Sequence, residues 1–223
     1  MSVEPQALAI LPATQDAYRI IYQDDVLLVV DKPSHLLTVP GRHPANHDCL
    51  ISRVQQNFPT AQVVHRLDYD TSGLVILPLN KATLSAISKQ FQARTIEKDY
   101  LAVVAGDLPD SGEINLPIAA DADNRPLYKI CAQSGKPALT HFTRLADPAL
   151  IDSSRVLLQP VTGRSHQLRL HLLSIGHAIL GDTLYGTKAI AKRAPRLLLH
   201  AYQIRFQHPL SGESVQLTAA PPF

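Results

Sequence analysis

The spacing of apolar residues along the chain predicts more strands than helices. Apolar runs of strand length cover residues 19–22, 26–31, 73–79, 100–105, 140–145, 155–159, 197–206 and 214–218. Most of these runs are joined by short polar turns, and Asp24-Asp25 between the first two is typical of a hairpin. This order of strands and turns favours a largely antiparallel arrangement.

Helical spacing is restricted to a few segments. Residues 81–93 place Leu84, Ile87 and Phe91 on one face, with Asn80 as N-cap, and residues 165–175 form a helix that ends at Gly176. A short third helix is expected from an Asp48 cap to about Asn57. Few helices among many strands indicate an α+β fold with a mixed, mainly antiparallel sheet, and argue against a doubly wound parallel sheet. Residues 1–18 are expected to be a weakly structured lead-in, and 19–223 a single catalytic domain.

Composition is that of an ordinary globular protein. The 223 residues are 45% hydrophobic and 18% charged, and no apolar run approaches the roughly 20 residues needed to span a bilayer. The first residues lack the pattern of a secretory signal. Cys49 and Cys131 have neither metal-ligand nor disulfide-framework spacing, so we expect a reducing, cytoplasmic location.

The charge distribution adds one clue. The formal net charge of +2 does not indicate nucleic-acid binding. One stretch, however, contains six cations and a single acid, Asp182; the cations are Arg164, Arg169, Lys188, Lys192, Arg193 and Arg196. Such a stretch could neutralise phosphates, and the alternative is a solvated basic face.

The polar segment from His65 to Gly73 is the first candidate for chemistry. It places two carboxylates, a guanidinium and two hydroxyls directly before a buried strand. For Asp70, Thr71 and Ser72 the simpler interpretation is a turn that satisfies its own backbone. Asp68 fits that interpretation less well and is the candidate catalytic carboxylate.

A second segment, from Thr162 to His171, carries Arg169 between Leu168 and Leu170. These apolar neighbours predict a partly buried guanidinium, which needs a carboxylate partner. An arginine beside a catalytic aspartate would favour its ionised form. A surface salt bridge or a phosphate contact is the alternative for Arg169.

Four motifs in order resemble the RluA family of pseudouridine synthases. They are His65-Arg66-Leu67-Asp68 followed by Thr71-Ser72-Gly73, Lys98-Asp99-Tyr100, Gly163-Arg164-Ser165-His166-Gln167-Leu168-Arg169, and Arg196-Leu197-Leu198-Leu199-His200-Ala201. Asp31-Lys32-Pro33-Ser34 also fits, but the family usually has glycine where this chain has His35. If that position has a positive φ, histidine is strained there.

The resemblance implies a pseudouridine-synthase fold with an active cleft across the middle of a curved sheet. It also implies Asp68 as catalytic carboxylate, Arg169 as its basic partner, and Tyr100 as the aromatic that stacks on the target base. Arg66 would fill the space that the flipped base leaves. The other residues implied to contact the substrate are His65, Arg164, His166, Gln167 and Leu198, the last as the representative of an apolar floor at 197–199.

The implied reaction breaks the bond between uracil N1 and ribose C1′, turns the base and rejoins it through C5, with no cofactor. The uridine must leave its stack, at a cost that Arg66 and Tyr100 would offset. Asp68 would attack the sugar or base, or remove a sugar proton, and the sequence leaves these routes open.

Two other function classes and a metal site fit the sequence less well. A non-catalytic RNA-binding protein on this fold is disfavoured because Asp68 and Arg169 are both present. A glycosidase or nucleosidase usually needs two opposed carboxylates, and Asp68 and Asp70 are too close in sequence for that arrangement. His35, His43, His47 and His65 have irregular spacing, so we expect no metal.

The implied partner is structured RNA, tRNA or 23S rRNA or both. The resemblance is greatest to family members that modify a tRNA anticodon stem-loop (position 32) and a 23S rRNA stem-loop (position 746). Relatives that act on other uridines are the alternative. We expect a monomer.

Overall fold

The computed structural model describes residues 9–146 and 150–223. In these ranges the strands are β1 (Arg19–Gln23), β2 (Leu27–Lys32), β3 (Ser72–Pro78), β4 (Glu97–Ala105), β5 (Ser111–Asn115), β6 (Ile118–Ala120), β7 (Tyr128–Ile130), β8 (Leu139–Arg144), β9 (Ser153–Pro160), β10 (Leu199–Gln207) and β11 (Ser214–Thr218). The helices are α1 (Leu50–Val54), α2 (Lys81–Ala93), α3 (Gln167–Ser174) and α4 (Lys188–Ala191). A single 3₁₀ turn spans Pro44–Asn46.

Nine strands form one mixed sheet. Its order is β1-β2-β3-β10-β4-β9-β8-β5, with β11 paired to the far half of β10, and β6 and β7 form a separate ribbon. Only the pair β3–β10 is parallel among these strands. The predicted α+β class with a mainly antiparallel sheet is confirmed.

The parallel junction between β3 and β10 brings distant motifs together. Gly73 opposes Ala201 across it, with a φ of +116°, and a Cβ at Gly73 would collide with the Ala201 backbone. Glycine is therefore required for this close approach. On its other side β10 pairs with β4, where Tyr100 opposes Ala201. The 65–73 segment, Tyr100 and the 196–201 motif thus meet at the centre of the sheet.

The longest helix was predicted with its observed bounds. Asn80 caps α2, because its Oδ1 accepts a hydrogen bond from the Thr83 N–H at 2.9 Å. Ile87 is fully buried against β3, whereas Leu84 and Phe91 are partly buried. The helix ends at Arg94, which has a left-handed φ of 58°.

The first helix differs from its prediction. Cys49, not Asp48, is the N-cap of α1, and the regular helix ends at Val54 instead of about Asn57. The Asp48 carboxylate accepts two hydrogen bonds from Arg53 instead, at 2.7 and 2.8 Å. The short elements β5, β6, β7 and α4 were not predicted, since each has too few apolar residues to show a period.

The loop after β2 has the strain anticipated for it. His35 has a φ of 55°, in the region that favours glycine. Its ring lies 5.6 Å from that of Tyr69, centroid to centroid. The Tyr69 hydroxyl donates to the carbonyl of Pro12, so this part of the lead-in is held against the loop. Residues 1–8 of the predicted lead-in lie outside the described residues.

The basic stretch at 164–196 does not form one face. Arg169 is buried, Arg196 donates to the Ser72 hydroxyl, and Arg193 donates to the carbonyls of Ile151 and Asp152. Fold, rather than local composition, therefore determines which of these cations could meet a phosphate. None of the helices in the described ranges is long and apolar enough to cross a bilayer.

Candidate active site

A cleft of about 280 Å³ opens at the centre of the sheet. Its walls come from the loop before β3, from β4, and from the segment between β9 and α3. Seven of the residues predicted for the site line it: Arg66, Asp68, Tyr100, Arg164, His166, Gln167 and Arg169. Chain regions about a hundred residues apart therefore converge on one cavity.

Asp68 is held in the cleft by its neighbour Leu67. The buried hydroxyl of Thr38 donates to the Leu67 carbonyl at 2.9 Å and accepts from the Leu67 N–H at 3.1 Å. The Asp68 side chain is 22% exposed, and its carboxylate has no hydrogen-bond partner among the described residues. A carboxylate fixed through its backbone, but free at its oxygens, is available to a ligand.

Arg169 is buried, as predicted, but the carboxylates that it contacts are those of Asp182 and Asp70, not that of Asp68. Its Nε and Nη2 donate to the two oxygens of Asp182, at 2.8 and 2.5 Å, and Nη1 donates to Asp70 at 3.3 Å. Burial acts to lower the pKa of Arg169, but the hydrogen bonds and charge of Asp182, then the charges of Asp70 and Asp68, raise it overall. Arg169 therefore stays charged, and its hydrogen bonds go to Asp182 and Asp70 while it lines the same cleft as Asp68.

Asp182 completes this ion pair. Burial acts to raise its pKa, yet the hydrogen bonds from Arg169 and from the N–H groups of Leu184 and Tyr185 bring the pKa below its ordinary value. The carboxylates of Asp182 and Asp70 are thus both held in ion pairs with Arg169. The simpler interpretation of Asp70, a turn in which its side chain satisfies its own backbone, is not what the structure has, because the carboxylate accepts a hydrogen bond from Arg169.

His166 faces Asp68 from the opposite wall. Its Nε2 lies 4.0 Å from the nearer Asp68 oxygen, and its Nδ1 is hydrogen-bonded to the Tyr185 hydroxyl at 2.6 Å. That hydroxyl also accepts from the Tyr128 N–H at 2.9 Å. Burial lowers the pKa of His166, against the opposing effect of the Asp68 charge, so the imidazole is neutral near pH 7. Its ring is fixed with one nitrogen towards the cleft.

The aromatic and apolar parts of the cleft come from Tyr100 and Leu199. Burial, and secondarily the charge of Asp68, raises the pKa of Tyr100, so its hydroxyl is protonated at neutral pH. Leu198, predicted as the apolar floor, does not line the cleft. It packs in the hydrophobic core instead, whereas Leu199 of the same core cluster also reaches the cleft.

His65 also lies outside the cleft. Its Nε2 accepts a hydrogen bond from the Ile76 N–H of β3 at 2.9 Å, and its ring packs on Phe91. Burial, and then the charge of Lys98, lowers the pKa of His65 to about 3. The histidine is therefore neutral and fastens the loop to the sheet, and it does not contact the cavity as was expected.

Gln167 and Arg164 shape the wall between β9 and α3. The Gln167 Oε1 accepts from the Thr162 hydroxyl and the Arg164 N–H, and its amide nitrogen donates to Leu139 and Thr140 of β8. All of its hydrogen-bonding capacity is used within the fold. The side chain of Gln167 thus positions this segment and has none left for a substrate.

A lysine lies beneath the carboxylates. Lys32 is fully buried, and its ammonium donates to the carbonyls of Pro33 and Leu36 at 2.9 and 2.7 Å. Burial lowers the pKa of Lys32 to about 7, although the charge of Asp68 acts in the opposite direction. Lys32 is therefore only partly charged at neutral pH, and its ammonium lies within electrostatic range of Asp68 without lining the cleft.

Two residues of the site were missed from sequence. Asp182 holds Arg169, and Tyr185 holds His166. A signal for Asp182 existed, because it is the single acid in a long basic stretch and a buried arginine needs a carboxylate. Nothing local to Tyr185 indicated its contact with a residue 19 positions away.

Comparison with known proteins agrees with this geometry. Residues 26–174 match the family model described as RNA pseudouridylate synthase. The chain is 45% identical over 213 residues to a protein of Pasteurella multocida (strain Pm70) named dual-specificity RNA pseudouridine synthase RluA. The aligned residues cover 95% of this chain and 97% of the Pasteurella protein. It is 44% identical over 205 residues to the protein of the same name from Escherichia coli (strain K12), covering 92% and 93% of the two chains.

Solved structures show the same relationship. The structure titled Human RNA Pseudouridylate Synthase Domain Containing 1 superposes with a TM-score of 0.78 at 31% identity, over 95% of this chain and 86% of that chain. A second, Human RNA Pseudouridylate Synthase Domain Containing 4, has a TM-score of 0.70 at 23% identity, over 92% and 88%, and shares the fold. With a matching family model over most of its length and relatives above 40% identity, the chain belongs to the RNA pseudouridylate synthase family, in its RluA-type branch.

Proposed function

We propose that the chain isomerises uridine to pseudouridine at the tRNA anticodon stem-loop (position 32) and at a 23S rRNA stem-loop (position 746), with Asp68 as the catalytic carboxylate. One observation carries the assignment of Asp68. Among the acids around the cleft, Asp70 and Asp182 are bound to Arg169, whereas the carboxylate of Asp68 has no hydrogen bond from a described residue. The dual target is supported by the names of the two bacterial relatives, which match over more than nine-tenths of this chain.

The reaction needs an ionised carboxylate at the glycosidic carbon. The N1–C1′ bond breaks, the base turns, a C5–C1′ bond forms, and the proton on C5 is lost while N1 gains one. Asp68 either attacks the sugar or base, or removes a sugar proton. Both routes use Asp68 as a carboxylate, and both are supported by the charged Arg169 and the partly charged Lys32 buried nearby, which favour negative charge developing in the cleft.

The target uridine has to leave its stack to reach Asp68. Arg66 is exposed at the mouth of the cleft and could occupy the gap in the RNA, while the ring of Tyr100 forms a wall on which uracil could stack. Base–aromatic stacking is worth about 1–3 kcal/mol, similar to the cost of unstacking a loop base. A loop uridine is therefore a better substrate than one in a continuous helix.

A glycosidase or nucleosidase is less well supported. Hydrolysis by two carboxylates requires both to be available on either side of the sugar. Asp70 is the nearest second acid in sequence, and its carboxylate is paired with Arg169. Because one chain builds the whole cleft, and both proposed RNAs are cytoplasmic, we propose that the protein acts in the cytoplasm as a monomer.

The test is tritium release from C5-labelled uridine in transcripts of the tRNA and of the 23S rRNA stem-loop. We expect about one tritium released per RNA from each transcript, and none when the target uridine is replaced by cytidine. Release from one transcript alone would refute the dual target and keep the chemistry. Release of free uracil, with no pseudouridine in the RNA, would replace the proposal with the nucleosidase.

A further inference from the structure

A second hollow of about 250 Å³ adjoins the catalytic cleft. Its walls are the end of α2 with Phe91 and Arg94, the start of β4 with Lys98, and residues 161–164. Lys98, Gly163 and Arg164 are among the four residues it shares with the cleft, so the two cavities lie side by side. Asp68, His166 and Arg169 do not line this side hollow.

The side hollow is positively charged and lacks acidic neighbours. Its cations are Arg94, Lys98 and Arg164, and within the described ranges no carboxylate lies within 4.0 Å of any of them. Arg164 donates through Nε to the Pro137 carbonyl, which leaves its terminal nitrogens free of described partners. Three cations without counter-charges around one cavity are suited to a phosphate.

The same hollow has an apolar side. Val161 is 37% exposed beside it, and Phe91 is partly buried with its ring 5.8 Å from the Lys98 ammonium. A cationic rim next to an apolar wall matches the two chemical parts of a nucleotide, its phosphate and its base or sugar. An inorganic anion would need only the cations.

Gly163 in the shared wall is a separate indication. Its φ lies outside the left-handed region, and a Cβ added to it would meet no atom within 4 Å. Neither backbone conformation nor packing of the free protein therefore requires glycine here, in contrast to Gly73. A bare backbone facing two open cavities allows a ligand to approach closely.

We propose that the side hollow binds the nucleotide next to the target uridine in the same RNA strand, with its phosphate between Arg94 and Arg164 and its base or sugar against Phe91 and Val161. The inference rests on the proposed function, because a neighbouring nucleotide exists only if the cleft takes a uridine from an RNA chain. Consecutive nucleotides of a splayed strand lie side by side, as the two cavities do.

The central variant is Arg94→Gly. Arg94 is the left-handed residue at the end of α2, so glycine removes the guanidinium while suiting the backbone, and the fold should survive. Lys89→Ala is the matched control, since Lys89 is an exposed cation on the same helix that lines neither cavity. Arg94→Lys restores the charge.

Binding of the stem-loop RNA is measured over a series of KCl concentrations. We expect Arg94→Gly to weaken binding about tenfold and to reduce the slope of log K against log[salt] by about 0.7, the value for one phosphate contact on a single strand. Lys89→Ala should stay within about twofold of wild type, and Arg94→Lys should recover most of the loss. The proposal would be overturned if Arg94→Gly and Lys89→Ala had the same binding constant and the same slope of log K against log[salt].

The position of the phosphate is tested by neutralising RNA linkages one at a time as methylphosphonates. We expect the linkage next to the target uridine to lose its effect on binding in Arg94→Gly, because both changes remove the same contact. The proposal would be contradicted if the effects of Arg94→Gly and of the neutralised linkage added fully at both linkages next to the target uridine. It would also be contradicted if they failed to add only at linkages several nucleotides away. Tritium release by the wild-type protein on the same RNA separates the two proposals. No release would refute the proposed function. If tritium is released, the binding measurements alone decide whether the side hollow holds the neighbouring nucleotide.

Discussion

Arg169 illustrates how a buried charge in this protein depends on its partners. Its guanidinium is almost completely buried, and it is neutralised by Asp182 and, at longer range, by Asp70. Taking two charges out of water costs several kcal/mol for each, and the pair is favourable only while both are present. The buried charge of Arg169, which lines the cleft together with Asp68, therefore depends on Asp182, a residue that does not line the cleft.

Asp182→Asn should accordingly destabilise the protein by about 3 kcal/mol, because it leaves a buried guanidinium without its main counter-charge. Turnover should fall as well, since Arg169 would no longer be fixed beside Asp68. The free energy of unfolding from urea titration measures the first effect. Asp107→Asn is the control, because Asp107 pairs with Arg144 at the surface, where the expected loss is about 0–1 kcal/mol. Equal losses in the two variants would contradict the account.

For individual residues, the sequence was a good guide to which side chains line the cleft. It was a poorer guide to the contacts that each side chain makes. Asp68, Tyr100 and Arg169 all line the cavity. The predicted burial of Arg169 was right, but its partners depend on the turn at 182–185, which local patterns do not position. His65 and Leu198 were assigned to the substrate because they stand in motifs, yet their side chains point into the fold.

The loop after β2 is the element in which this chain departs from the usual family pattern. His35 adopts a left-handed φ of 55°, which costs a residue with a Cβ about 1–2 kcal/mol relative to glycine. The loop is held in place by hydrogen bonds from Lys32 to the carbonyls of Pro33 and Leu36. Backbone hydrogen bonds from Thr14 to the His35 carbonyl and from Leu36 to the Tyr69 carbonyl hold the loop as well, and histidine adopts the conformation that these contacts fix.

Two substitutions separate strain from side-chain contacts. His35→Ala keeps the strain and loses the contact with Tyr69, whereas His35→Gly loses the same contact and removes the strain. We expect the glycine variant to be more stable than the alanine variant by about 1 kcal/mol. Thermal unfolding of both variants measures the difference. An alanine variant as stable as the glycine variant would mean that this position is not strained.

Elements with a clear period were predicted well, and those without one were missed. The bounds of α2 and β11 agree with the prediction, and Gly176 ends α3 with a φ of 88°. In contrast, β5 has a single buried residue, Ile114, and β6 and β7 have three residues each. Such segments become strands because partners exist across the sheet, and partner positions are a property of the whole fold.

Across the whole molecule, several histidines are held neutral by burial. Burial lowers the pKa of His65, His166, His171 and His200, and the central strand β3 receives a hydrogen bond from His65. Between pH 6.5 and about 3 the unfolded chain binds a proton at position 65 that the folded chain excludes. Stability from this group is complete above pH 6.5 and is lost as the pH falls, by at most about 1.4 kcal/mol per pH unit.

His65→Gln should flatten this dependence, because a glutamine oxygen can accept from the Ile76 N–H and does not titrate. We expect wild type to lose more stability than the variant when the pH is lowered from 7 to 5, as measured by urea unfolding at each pH. The other buried histidines are common to both proteins and cancel in the comparison. Exposed His47→Gln is the control and should follow wild type. Parallel curves for His65→Gln and wild type would show that His65 is not held neutral.

If the free carboxylate of Asp68 performs the chemistry, the variant Asp68→Asn should bind RNA without converting it. The variant keeps the shape and the Leu67 anchoring of the loop, so RNA binding should stay within about threefold of wild type. Its rate of tritium release should fall more than about a thousandfold. Asp99→Asn, on β4 but outside the cleft, serves as the control for an amide near the site. Tritium release by Asp68→Asn at a rate comparable to wild type would contradict the account.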